Sequence, residues 1–181
     1  MKDVFDFIVK NLSIIISIIA LIVSMTNLIY LIITNKKHIH LKIDSYTKDN
    51  VHDKEFYFFN VTITNKSRLS IAINEITINY KRKNYLFLKS PRLLFESQTT
   101  RGKEIIRKKE IYSIKFPINI NGLCSEQMFL VMRSGPQDFE NGKVKINVKT
   151  SRGQVKIRLK DFDTYFIKSK AFFKELGNYN Q

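Results

Sequence analysis

The sequence predicts a mainly β fold: an N-terminal transmembrane helix, then an immunoglobulin-like antiparallel β-sandwich, then a C-terminal amphipathic helix. Three observations lead there. Asn11 to Asn35 runs for 25 residues without a charge, between Lys10 and Lys36-Lys37. Beyond it, seven or eight short segments of alternating or continuous apolar character are separated by turn residues, the spacing of a two-sheet sandwich. The last stretch instead places aromatic residues at helical intervals. The expected divisions are residues 1–10 as a tail, 11–35 as the span, 36–160 as the sandwich, and 161–181 as the helix and its tail.

A helix rises about 1.5 Å per residue, so Leu12–Ile33 covers roughly 33 Å, enough to cross a hydrocarbon core of about 30 Å. Apolar runs in soluble cores are usually shorter, and a cleavable leader would end in an Ala-x-Ala exit, whereas Ala20 sits mid-segment. An uncleaved anchor is the expectation. Ser13, Ser17 and Ser24 share a stripe with Ala20 and would let a second helix approach, making an oligomer through the span. Alternatively, those hydroxyls simply bond to carbonyls of the preceding turn. Lys2 and Lys10 lie before the span, against Lys36, Lys37, Lys42, Lys48 and Lys54 after it. This asymmetry places the C-terminal domain in the cytoplasm of a cell-membrane protein. A single cysteine, Cys124, excludes an intrachain disulfide.

The net charge of +15 lies entirely after the span, because two lysines and two aspartates cancel in the first ten residues. Such a field draws anionic partners: a protein, a lipid headgroup or a nucleic acid.

The elements then follow in order. His38 to Asp44 alternates as a strand starting close to the headgroups. His38 and His40 make too small a ligand set for a metal, with His52 in a polar loop. Glu55–Thr64 is the strongest strand, with Tyr57, Phe59, Val61 and Ile63 on one face and Phe56 and Phe58 on the other. Asn65-Lys66-Ser67-Arg68 has turn chemistry, and Ser70–Tyr80 returns as a strand whose phase slips at Asn74-Glu75, marking a bulge or a strand that changes sheets. Tyr85–Leu88 follows a basic turn. Ser90–Glu110 is poorly patterned: Leu93–Phe95 reads as a short edge strand, Gln98–Gly102 as a polar loop, and Arg101–Glu110 as a strand edge or a helical turn. Tyr112–Phe116 alternates up to Pro117, Asn121-Gly122 turns, and Gln127–Met132 is a continuous apolar strand fit for a sheet's interior. Cys124, in the loop before it, has neither a paired histidine nor a cationic neighbour to make it a nucleophile.

The final hairpin pairs Lys143–Lys149 with Gln154–Lys160 across Thr150-Ser151-Arg152-Gly153. Val144, Ile146, Val148, Val155, Ile157 and Leu159 point to the core. Lys143, Lys145, Lys149, Lys156, Arg158 and Lys160 share the outer face, and no acid occurs from Asn141 to Lys160. With Arg152 of the turn, they form the candidate anion-binding face. Either a partner offsets the repulsion, or solvent screens it and the lysines guard an edge against aggregation. In the last segment Asp161 or Asp163 caps a helix ended by Gly177, with Phe162, Tyr165, Phe166, Phe172, Phe173 and Leu176 as its apolar stripe. That stripe covers the open end of the sandwich, or the basic helix lies on a membrane.

The span with its basic flank, the segment Thr62-Ile63-Thr64-Asn65-Lys66-Ser67-Arg68-Leu69-Ser70-Ile71, and Thr150-Ser151-Arg152-Gly153 together resemble single-pass proteins of low-GC Gram-positive bacteria and their phages, in which an anchor leads straight into a β-sandwich. The resemblance covers most of the chain. It implies no activity and no site residue, and suits a place in phage exclusion or host defence. No catalytic constellation, phosphate-binding glycine loop, cofactor motif or metal set stands out, so a non-enzymatic binding or scaffold module is expected. Membrane-tethered nucleic-acid binding is the alternative, allowed by charge though no recognition motif accompanies it.

Overall fold

The computed structural model describes residues 2–36, 38–51, 53–101, 104–135, 139, 144–159 and 162–178. They fall into two units, Met1–Lys36 and Lys37–Gln181.

The first unit is one helix, α1 (Lys2–Asn35). No glycine or proline interrupts it, so the expected tail continues the helix rather than preceding it. Within it, Lys10–Ile33 is long and apolar enough to cross a membrane, and none of that segment is buried against protein. Ser17 Oγ donates to Ser13 O (2.7 Å) and Thr26 Oγ1 to Ile22 O (2.6 Å), so these hydroxyls are satisfied by the turn before them.

The second unit is mainly β. Its strands are β1 (Ile39–Val51), β2 (Lys54–Asn65), β3 (Ile71–Tyr80), β4 (Lys83–Leu86), β5 (Leu93–Arg101), β6 (Glu104–Tyr112), β7 (Ile118–Ile120), β8 (Ser125–Arg133), β9 (Val144–Thr150) and β10 (Gly153–Leu159). All pairings between them are antiparallel. One sheet runs β1-β2-β8, the other β10-β9-β3-β4 with β7 also on β3, and β5-β6 form a separate ribbon. The two main sheets face each other across one core. Leu41, Ile43, Tyr57, Phe59, Val61, Ile63, Leu130 and Met132 come from the first sheet; Ile73, Ile76, Ile78, Val144, Ile146 and Val148 come from the second. This arrangement is consistent with an immunoglobulin-like sandwich.

Two bulges set the side-chain phase. In β3 the register shifts between Ile73 and Glu75, where the apolar pattern slips. In β1 it shifts between Ile43 and Ser45, so Tyr46 opposes Phe59 in the core while Ser45 and Thr47 share the other face with Asn60 and Phe58. That other face is also covered. Phe58, Phe129 and Val131 pack against Ile111 of β6 and against Phe172 and Leu176 of α2 (Ser169–Asn178), forming a second apolar cluster. Burial from both sides explains why Met128–Met132 is continuously apolar.

Several expectations are corrected. The C-terminal segment is not one helix. Phe162–Tyr165 forms a short 3-10 turn, and α2 starts only at Ser169. Between them Phe166 bridges Tyr46 in parallel, and Ile167 N donates to Tyr46 O at 2.9 Å, because β1 leaves its outer edge open there. Phe162 enters the main core, with ring centroids 4.6 Å from Phe139 and 4.8 Å from Tyr46. α2 therefore lies on the outer face of the three-stranded sheet and does not cover the sandwich's end. Asp161 lies outside the described residues.

The poorly patterned region is a long ribbon: Gln98–Arg101 belongs to β5, and Glu104–Glu110 is strand, not a helical turn. Tyr112–Phe116 is not a strand beyond Tyr112. There Ile114 N reaches Phe129 O (2.9 Å) and Phe116 N reaches Lys89 O (3.2 Å), as the chain crosses beside β8. At the Asn121-Gly122 turn, a Cβ on Gly122 would lie 1.9 Å from Arg68 O, so only glycine fits.

Candidate functional site: the outer face of the last hairpin

β9 and β10 pair from Gly153↔Thr150 to Leu159↔Val144 without a register shift, leaving Ser151 and Arg152 as a two-residue turn. Thr150 Oγ1 accepts from Arg152 N at 3.1 Å, and Gly153 takes a φ of 103°. Glycine adopts that angle without the Cβ penalty that other residues meet there. The pleat then sorts the side chains. Val144, Ile146 and Val148 are buried, and Lys145, Lys149, Gln154, Lys156 and Arg158 are exposed on the outer face.

The register refines the expected repulsion. Among the described residues only Lys145 and Arg158 oppose each other directly; Lys156 faces Asn147, and Lys149 faces Gln154. On its other side β9 pairs with β3, which sets Glu75 beside Lys149, Thr77 beside Asn147 and Asn79 beside Lys145. Glu75 accepts an ion-paired hydrogen bond from Lys89 Nζ at 3.0 Å. That bond, reinforced by the charges of Lys89 and Lys149 against partial desolvation, holds the Glu75 carboxyl below its ordinary range. Lys145, Lys156 and Arg158 form no ion pair among the described residues.

Of the expected face, the structure brings together Lys145, Lys149, Lys156 and Arg158. Arg152 does not belong to it: this half-buried residue sits in the turn, its Nη1 3.5 Å from Ser67 Oγ at the sandwich's end. Lys143 and Lys160 lie outside the described residues. Glu75 was not anticipated as the acid bordering the face. The phase slip at Asn74-Glu75 pointed to the place, but nothing local shows which strand lies alongside.

Chemically the face offers closely spaced, exposed cations on a regular pleat. It suits capture of extended anionic groups by Lys145, Lys156 and Arg158, which form no ion pair among the described residues. Among the described residues, no three His, Cys, Asp or Glu side chains come close enough to hold a metal ion. Cys124 is an exposed free thiol in the loop before β8. Elsewhere Lys108 is already engaged by Glu96 and Glu110 on the β5–β6 ribbon. No protein-family model matches the sequence, and neither does any curated protein.

Proposed function

We propose that the chain is a single-pass, membrane-anchored, non-enzymatic binding module whose β9–β10 face engages an anionic partner at the cytoplasmic side of the cell membrane. The observation that carries this reading is the set of cations, Lys145, Lys156 and Arg158, held on a regular strand pair with no counter-charge among the described residues. Opposing like charges cost a hairpin a few tenths of a kcal/mol per pair, a cost that an acidic partner removes. α1 supports the tether, and the excess of lysines after it supports the orientation. The resemblance to anchored proteins of Gram-positive bacteria and phages suggests a role in phage exclusion or host defence, by analogy alone.

The test uses the full chain in zwitterionic lipid nanodiscs. Binding of poly-glutamate, of anionic vesicles and of single-stranded DNA is measured across added salt, for the native chain and for a K145E/K156E/R158E variant. Affinity for poly-glutamate or the vesicles that the variant abolishes is the expected result. Equal binding by the variant would refute the assignment of the face. Tight DNA binding with a steep salt dependence would transfer the face to nucleic acid.

A further inference from the structure

We infer that β10 is an open docking edge, and that its occupant is an extended acidic segment of a partner protein, added as a further strand beside Lys156 and Arg158. This rests on the binding-module reading and names the partner class for the same face.

β10 ends the order β10-β9-β3-β4, and no described residue pairs with its far side. Because Thr150 and Gly153 close the two-residue turn as a hydrogen-bonded pair, hydrogen bonding to β9 falls on Gly153, Val155, Ile157 and Leu159. The N–H and C=O groups of Gln154, Lys156 and Arg158 therefore point to the open edge. Val155, Ile157 and Leu159 are only half-buried, so the core-facing apolar row continues to the rim.

Edges of this kind are usually blunted by a bulge, a proline, an inward-pointing charge or lysines along the strand. The described strand has only the last: its register is regular and its charges all point outward, so it repels a basic edge and admits an acidic one.

The charges select the occupant. A second copy pairing edge to edge would bring Lys156 and Arg158 beside their own equivalents, which repel. A strand alternating acidic and apolar residues meets both faces: acids beside Lys156 and Arg158, apolar side chains continuing the row of Val155 and Ile157. Backbone bonds would supply affinity and the two faces specificity, as in strand addition generally.

The test uses the full chain in zwitterionic nanodiscs and a seven-residue peptide, Glu-Val-Glu-Ile-Glu-Val-Glu, blocked at both ends. Two controls accompany it: a lysine-for-glutamate version, and one with alternate backbone nitrogens methylated. The acidic peptide should bind. The basic version should not, and methylation should weaken binding about tenfold or more, the scale of losing edge hydrogen bonds with charge unchanged. Lys156→Pro should weaken binding at least as much, because it removes that outward N–H together with one of the two charges while the ladder to β9 survives.

If the methylated peptide binds as tightly as the parent, the edge is not used and the inference falls, although the face could still bind anions. If poly-glutamate binds and the peptide does not, the inference falls alone. If the peptide, poly-glutamate and the anionic vesicles all fail to bind, the functional reading falls with it.

Discussion

Asn65, at the end of β2, is 1% exposed and fully engaged. Its Nδ2 donates to Leu69 O (2.9 Å), Asn121 O (3.0 Å) and Ile120 O (3.2 Å), while its Oδ1 accepts from Ser67 N (3.0 Å) and Ser67 Oγ (2.5 Å). Asn65→Ala would strand buried carbonyls from two loops, and a loss of about 2–4 kcal/mol is expected in chemical denaturation. Thr47 should behave oppositely. Its hydroxyl is buried without a hydrogen-bond partner among the described residues, as is that of Ser45, so Thr47→Val should leave stability unchanged or raise it by up to about 1 kcal/mol. A clear loss on that substitution would refute this account. The turn chemistry of Asn65–Arg68 is legible in the sequence. Its burial is not, because the carbonyls it satisfies at Ile120 and Asn121 lie 55 and 56 positions away.

Among the elements, the β5–β6 ribbon resisted reading for a physical reason. Its register shifts between Leu93 and Phe95 and again between Thr99 and Thr100, so no period of two survives along it. Its central charges are organised by Lys108, whose pKa is raised first by hydrogen bonding to Glu110 and then by Glu96, while Glu110 is lowered chiefly by Lys108. The signs define a window. The Glu110 contribution is present above its ordinary value of 4.5 and is lost as pH falls below it; the Lys108 contribution is present below 10.5 and is lost as pH rises past it. Amide protection of Arg107–Lys109 should thus be highest between those limits and decline on either side. Uniform protection across that range would show that the triad does not hold the ribbon.

α2 depends on the same region. Lys109 Nζ donates to Gly177 O at 2.8 Å, and Phe172 is 2% exposed against the sheet. Phe172→Ala should cost about 3–5 kcal/mol and be accompanied by rapid amide exchange throughout Ala171–Leu176. The helix was recognisable from its aromatic spacing. Its late start was not, because the parallel bridge to Tyr46 depends on a strand 120 residues earlier.

At the scale of the molecule, the fold class follows from few signals: an uncharged run for α1, alternation in β2 and β9–β10, and a phase slip that is a genuine bulge in β3. The pairing of strands into sheets was not readable, since β3–β9 and β2–β8 join segments far apart in the chain. This also explains why the surroundings of the candidate face were legible only in part. Its hairpin is local, whereas its bordering acid comes from β3. If α1 anchors the chain, carbonate washing of membranes should leave the intact polypeptide in the pellet; its release into the supernatant would refute the anchor. A C-terminal reporter active only inside the cell would establish the orientation.

The ring of Phe139 lies 5.5–5.7 Å from those of Tyr46, Tyr57 and Tyr80, in a chain of eight tyrosines and no tryptophan. Near-ultraviolet circular dichroism should therefore be dominated by this one knot of rings, whose coupled transitions need fixed mutual angles. Tertiary order where the two sheets meet can be followed without any added label, and a Phe139→Leu chain should dim that optical signal while its far-ultraviolet spectrum stays the same.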